Sequence, residues 1–266
     1  MQERHKNKEQ YFNEQGLTSQ KFVVPFLADL LKIDNKTAVL EIGCGEAGNL
    51  KPFLDMGCRC TGIDISCGRI ELAKEFYSNH PNRENLTLIC NDIYKVGPGA
   101  PFDIIIMRDV IEHIPNQERF MEFVKAFLKP GGKFFLAFPP WQNPFGGHQQ
   151  ICRGKLLSKL PWFHLLPRGF YKLFLKWMGE SDDTITALLE IKDTGISIER
   201  FERILRRSNY RTDKKVYWLI NPNYQTKFGL KPRKLPRIIS SVPWLRNFVT
   251  TAMYYVVSKQ NGQVAP

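Results

Sequence analysis

A chain of 266 residues with 43% apolar content and a net charge of +12 has room for one enlarged α/β domain or two small ones. It shows no charged-then-apolar leader and no long uninterrupted apolar run, which argues against export and against a spanning helix. Its six cysteines (Cys44, Cys58, Cys60, Cys67, Cys90 and Cys152) form no C-x-x-C pair, so the expectation is reduced thiols in a cytoplasmic protein, with no metal site and no disulfide framework.

In chain order, Thr18–Leu31 has the apolar spacing of a helix, with Phe22, Phe26, Leu27 and Leu30 on one face. Short apolar runs then alternate with helical patterns. Strands are predicted at Ala38–Ile42, Arg59–Ile63, Leu86–Cys90, Phe102–Met107 and Lys133–Phe138. The clearest helix between them covers Asn116–Leu128 and stops at Lys129-Pro130-Gly131-Gly132. This alternation indicates a parallel, doubly wound sheet. After Phe138 prolines, glycines and aromatics punctuate a long segment. Regular alternation resumes with a helix at Ile198–Arg207 and strands at Lys215–Ile220 and Met253–Ser258. Residues 139–195 therefore read as an insertion after the fifth strand, overhanging the carboxyl ends of the strands, where open α/β sheets bind ligands.

The first strand runs into Glu41-Ile42-Gly43-Cys44-Gly45-Glu46-Ala47-Gly48. Glycines there let the backbone approach a ligand closely, and the spacing satisfies G-x-G-x-x-G, so a dinucleotide is one candidate. Glu41 favours another. A carboxylate two residues before the first glycine suits a cofactor carrying ammonium or sulfonium charge better than a pyrophosphate, which points to S-adenosylmethionine (SAM). Asp64, about twenty residues past the loop, is placed to accept hydrogen bonds from ribose hydroxyls of either cofactor. Asp92 and Ile93 offer a polar contact and an apolar wall for adenine, with Ile65 as the facing wall. Asp64 and Asp92 also fit a plainer use as capping carboxylates.

Five segments taken together resemble the class I SAM-dependent methyltransferases. They are Glu41-Ile42-Gly43-Cys44-Gly45, Gly62-Ile63-Asp64-Ile65-Ser66, Cys90-Asn91-Asp92-Ile93, the run from Phe102 to Ile114, and Leu128-Lys129-Pro130-Gly131-Gly132. They span residues 36–140, about forty per cent of the chain. The resemblance implies a Rossmann-like sheet of seven strands, mostly parallel with the last antiparallel. It implies one domain over 1–266, with an N-terminal helical segment at 1–35 and a lid insertion at 139–195. The cofactor site would comprise Glu41, Gly43, Cys44, Gly45, Asp64, Ile65, Asn91, Asp92, Ile93, Arg108 and Asp109. Glu41 would stand near the amino end of the methionine moiety, or merely brace the turn. Arg108 and Asp109 would face that moiety or the acceptor, and Tyr11, by its position, would close over the cofactor.

Phe138-Pro139-Pro140-Trp141 looks like the proline-proline-aromatic signature of adenine-N6 methyltransferases. It follows the fifth strand, however, not the fourth, and a base-flipping activity is rejected on that ground. A hydroxyl acceptor must lose a proton, for which histidine is the natural base near pH 7. His113, in a stretch similar to methyltransferases of quinone biosynthesis, and His148, in the insertion, are the candidates. His164 sits among aromatics. Each histidine has packing as its alternative use.

Phe170, Leu173, Phe174, Trp177 and Met178 follow helical spacing and read as the apolar face of a lid helix over the active site. The same helix, with Lys172 and Lys176, also reads as a basic amphipathic element resting on an anionic membrane. No acid interrupts Arg153, Lys155, Lys159, Arg168, Lys172 and Lys176, and further basic residues cluster around Arg203 and at Lys231–Arg237. The insertion resembles one in bacterial methyltransferases linked to surface-glycan or lipid modification. The leading expectation is methyl transfer to oxygen of a small or lipid-linked acceptor, by a cytoplasmic protein with peripheral contact at the inner face of the membrane. An RNA methyltransferase, a non-catalytic SAM-binding protein and an NAD-binding oxidoreductase remain alternatives.

Overall fold

A computed structural model describes residues 7–260; the remainder of the 1–35 segment and the last six residues lie outside the described part. Eight strands form a single sheet in the order β3-β2-β1-β4-β5-β8-β6-β7. They are β1 (Ala38–Ile42), β2 (Arg59–Asp64), β3 (Leu86–Cys90), β4 (Phe102–Arg108), β5 (Leu128–Phe138), β6 (Tyr210–Ile220), β7 (Arg233–Lys234) and β8 (Ala252–Lys259). The first five pair in parallel. β8 pairs antiparallel with both β5 and β6, and β7 antiparallel with β6. Seven strands are thus corrected to eight: Arg233–Lys234 is too short and too polar to carry a strand signal.

Alternation along the strands builds two cores. Leu40, Ile42, Ile105 and Met107 face one side, with Phe120, Met121, Val124, Phe201 and Ile204 packed on them. Val39, Ile104 and Ile106 face the other, against Val23, Leu27, Leu50, Phe53 and Ile70. Period-two side-chain placement in β1 and β4 makes this possible only because both faces are covered by helices.

The helices that supply the cover are α1 (Lys8–Thr18), α2 (Val24–Ala28), α3 (Lys51–Asp55), α4 (Cys67–Phe76) and α5 (Gln117–Val124), followed by α6 (Arg168–Trp177), α7 (Asp182–Thr194), α8 (Ile198–Arg207) and α9 (Asn223–Phe228). The first helix starts ten residues ahead of the expected Thr18 and passes through a π-helical turn at Ser19–Val23 into α2. Asn116 caps α5 by accepting from the Arg119 amide, as its residue type favours. β5 already begins at Leu128, so Pro130-Gly131-Gly132 lies inside a strand instead of in a loop.

The segment after β5 has a core of its own, made by Cys152, Leu157, Phe163, Tyr171, Leu175, Ile185, Leu188 and Leu189. In α6 it is Tyr171 and Leu175 that point inward, with Phe174 and Met178 against them. Phe170, Leu173 and Trp177 are 72%, 71% and 79% exposed. The expected lid face is corrected accordingly: three of its five residues look outward.

A second correction concerns the thiols. Cys67, at the start of α4, and Cys90, at the end of β3, form a disulfide. Cys44, Cys58, Cys60 and Cys152 are free and buried. The parallel pairing of β2 with β3 sets Asp64 beside Cys90, which carries Cys67 to Cys90 across 23 positions of sequence.

Candidate active site

β1 lies between β2 and β4, at the point where the strand order reverses, and open α/β sheets bind their ligands beside the carboxyl ends of such strands. The loop after β1 needs its glycines. Gly43 has φ +70° and Gly45 φ +55°, conformations that L side chains rarely adopt. A Cβ on Gly43 would lie 2.5 Å from Val110 Cγ2. The amides of Gly43 and Cys44 both donate to the Ile63 carbonyl, tying the loop to β2.

Glu41 is 1% exposed at the end of β1. Its Oε1 accepts from Asn49 Nδ2 at 2.7 Å, and Asn49 Oδ1 accepts from Arg108 at 2.8 Å. The Asn49 carbonyl in turn accepts from the Ser19 hydroxyl. The second Glu41 oxygen is buried without a hydrogen-bond partner among the described residues. Burial pushes the Glu41 carboxyl up to about 8, against the opposing pull of Asn49 and Arg108. Neither Asn49 nor Ser19 has a sequence signal of this role; they join the site because α1, α2 and the loop pack together.

Asp64 ends β2 with both oxygens engaged by backbone: Oδ2 accepts from the Gly45 amide at 2.7 Å and Oδ1 from the Ser66 amide at 2.8 Å. A carboxylate offers about four lone-pair sites, which leaves capacity for a diol. Arg69 of α4 lies over Gly45 and bonds the buried Glu46, which Lys8 of α1 also pairs. Along β3's exit, Asn91 is exposed. Asp92 Oδ1 accepts from the Tyr94 amide and caps a short turn, Ile93 is buried in the core, and Ile65 is 79% exposed. Cys44 is buried behind the loop, where burial holds its thiol well above the usual range.

Arg108 is buried at the end of β4, and Asp109 follows with φ +55°, fixed by its amide's 2.7 Å hydrogen bond to the Ala137 carbonyl. A cleft here is lined by Tyr11, Gln15, Arg108, Asp109, Asn223 and Thr226, which sets Tyr11 beside Arg108 and Asp109. Burial, then the Asp109 charge, raises its phenol. Asn223 and Thr226, from α9, were not anticipated.

His113 and His148 meet edge to face with ring centroids 4.8 Å apart. The turn after β4 delivers His113, and the segment after β5 delivers His148 at φ +55°. Burial pushes His148 down to about 4; His113, still exposed at one edge, is lowered by the partial loss of solvent around its ring, against the opposing Asp109 charge. His164 is not part of this pair. It is fully buried, takes a hydrogen bond from Gln149 at Nδ1 and donates from Nε2 to the Trp141 carbonyl at 2.8 Å; it fastens the segment, the packing alternative given for it above. Glu112, absent from the expected site, is buried beside the pair.

Comparison with known proteins matches residues 15–174 to the model of a methyltransferase domain family. A ubiquinone biosynthesis O-methyltransferase of Coxiella burnetii is 34% identical over 134 residues, 49% of this chain and 53% of that protein, so the chain spans about half the length of this curated relative. Among solved structures, a putative sarcosine dimethylglycine methyltransferase from Galdieria sulphuraria aligns with a TM-score of 0.59 at 12% identity, over 92% of this chain and 86% of that one. The glycopeptide N-methyltransferase MtfA in complex with SAM aligns with a TM-score of 0.54 at 14% identity, over 92% and 87%.

The residues present fit SAM. The partnerless buried oxygen of Glu41 offers an acceptor to an ammonium group, and Asp64 retains acceptor capacity for ribose hydroxyls. With the family model covering more than half of its length, the chain belongs to the methyltransferase domain family.

Proposed function

We propose that the chain methylates a hydroxyl of a small or lipid-linked acceptor, with His113 and His148 at the acceptor's end of the site. The observation that carries this reading is the imidazole pair beside Asp109, at the end of the same strand that supplies Arg108. SAM supplies an activated methyl group on a sulfonium. Because transfer is in-line, positioning does most of the work, and the chain's remaining duty is to take the acceptor's proton. A base works best with a pKa near the operating pH. His113, whose pKa the Asp109 carboxylate pushes back up, suits that step better than His148, held near 4. His148 then orients the acceptor oxygen.

In the same reading Glu41 and the Gly43–Gly45 loop hold the methionine end, Asp64 the ribose, and Asn91, Asp92 and Ile65 the adenine. Ile93, being core, supports the adenine site from behind. Residues 139–195 form the lid. The O-methyltransferase named among the relatives supports an oxygen acceptor.

A lipid-linked acceptor is supported by the outer face of α6. Phe170, Leu173 and Trp177 stand exposed among Arg168, Lys172 and Lys176, all exposed as well, a pattern suited to an anionic lipid surface. Among the described residues no helix is long and apolar enough to cross a membrane. The test is incubation with methyl-labelled SAM and a panel of phenols, polyprenylated quinols and glycolipids, with products identified by mass spectrometry. Labelled ether products support the reading. Labelled amines or carbon acceptors alone overturn it.

A further inference from the structure

Glu112, His113 and His148 place one carboxylate oxygen and two imidazole nitrogens within 4.8 Å of one another. Glu112 is 5% exposed, and neither of its oxygens has a hydrogen-bond partner among the described residues. A buried polar group normally finds one, because leaving it unpaired costs about 1–3 kcal/mol. The protein supplies the Glu112 carboxyl with none, yet sets two nitrogen donors beside it. The structure holds this arrangement firmly. His148 sits at φ +55°, a costly conformation for a non-glycine residue. Its predecessor Gly147 is so close to His164 that a Cβ would lie 2.3 Å from the His164 Cβ. Buried His164 is itself anchored to Trp141 and Gln149, so the loop cannot carry His148 elsewhere cheaply.

We infer that Glu112, His113 and His148 bind a divalent first-row transition-metal ion of the Zn²⁺ type, so that the segment after β5 is clamped to the turn after β4. Two imidazoles and a carboxylate suit such an ion better than Mg²⁺ or Ca²⁺, which prefer oxygen. A tetrahedral ion with bonds of about 2.1 Å holds its ligands about 3.4 Å apart, so side-chain rotations of about an ångström complete the set. Three protein ligands leave one position open. The ligands come from two elements 35 positions apart in sequence, which is why no ligand spacing is visible in the chain and no metal was expected.

Use of the open position by an acceptor oxygen rests on the O-methyl transfer proposed above; binding of the ion does not. With the ion bound, His113 would be a ligand instead of the base proposed above, and a coordinated hydroxyl would lose its proton more easily.

The test uses the full chain, stripped with a chelator and titrated with Zn²⁺ against a chromophoric competitor, while affinity for S-adenosylhomocysteine is measured in parallel. One ion per chain is expected. His148→Ala and Glu112→Gln should each weaken Zn²⁺ by at least about 100-fold, the upper end of what even outer-shell changes cost, and should leave the nucleoside's affinity within about twofold. His80→Ala should bind the ion as the parent does. If Glu112→Gln fails to fold, His113→Ala, at an exposed position, decides in its place. No stoichiometric ion, or an ion retained in both histidine variants, overturns the site. Loss of nucleoside binding in the parent protein would instead strike at the cofactor reading, so the two failures are distinguishable.

Discussion

Glu41 and Arg108 are joined through one amide: Asn49 donates to Glu41 at 2.7 Å and accepts from Arg108 at 2.8 Å. The ends of β1 and β4 thereby share a buried polar chain beneath the cofactor loop. Its middle member has no apolar substitute. Asn49→Leu leaves a carboxyl and a guanidinium buried without their common partner, at a cost of about 2–4 kcal/mol. Urea unfolding should show this loss, and calorimetric titration with S-adenosylhomocysteine should show weakened binding. Stability within about 0.5 kcal/mol of the parent would mean that the chain is dispensable.

Asp64→Ala removes an acceptor from the Gly45 and Ser66 amides as well as from the proposed ribose contact. Cofactor affinity should fall by at least about tenfold, equivalent to one charge-assisted hydrogen bond of about 1.4 kcal/mol or more. The sheet should remain intact by circular dichroism. Unchanged affinity would remove Asp64 from the binding site and leave it a loop brace.

Glu41 is expected to make cofactor binding a proton-linked event. Its carboxyl, raised by burial to about 8, is mostly protonated at pH 6, whereas pairing with an ammonium group requires the carboxylate. Binding should therefore release a proton, and affinity should rise with pH from 6 towards 8. Titrations in buffers of different ionisation enthalpy read the released proton directly. An affinity flat over that window would show that Glu41 does not meet the charged end of the ligand.

The Cys67–Cys90 crosslink closes a loop of 23 positions, for which the chain-entropy model gives about 3 kcal/mol. Reduction, or the Cys67→Ser, Cys90→Ser double variant, should lower the melting temperature by several degrees. Peptide mass mapping under non-reducing conditions should recover the pair. A melting curve indifferent to reductant would show that the two thiols are not linked in solution.

Trp177→Glu and Phe170→Glu change side chains that are 79% and 72% exposed, so neither should alter stability by more than about 0.5 kcal/mol. Both should reduce co-sedimentation with vesicles containing anionic phospholipid. Equal sedimentation of parent and variants would leave α6 without a membrane role.

The parallel half of the sheet was legible because Leu40, Ile42, Ile105 and Met107 alternate with Val39, Ile104 and Ile106 in mostly apolar runs, broken in β1 only by Glu41, a pattern suited to a strand covered on both faces. Helix Ile198–Arg207 was legible to the residue, through a serine cap and a strongly one-sided pattern. Asn49 was not legible: a polar residue in a loop acquires its meaning only when Ser19, Glu41 and Arg108 arrive from other elements. The cysteine pair was hidden for a related reason, since adjacency in a parallel sheet leaves no local spacing behind. The outer face of α6 was misjudged because periodicity reports an apolar stripe and not which side of the helix the core takes, and Tyr171 and Leu175 took it.

The strand Ala252–Lys259, late in the described chain, is laid between β5 and β6, with Tyr254, Tyr255, Val256 and Val257 wholly enclosed. Until it arrives, β5 and β6 have no partner on those flanks, and their exposed edges are templates for pairing with other chains. During synthesis the sheet can therefore close only after Ala252–Lys259 has left the ribosome. A nascent or truncated chain ending ahead of Ala252 leaves both of those edges open to such pairing.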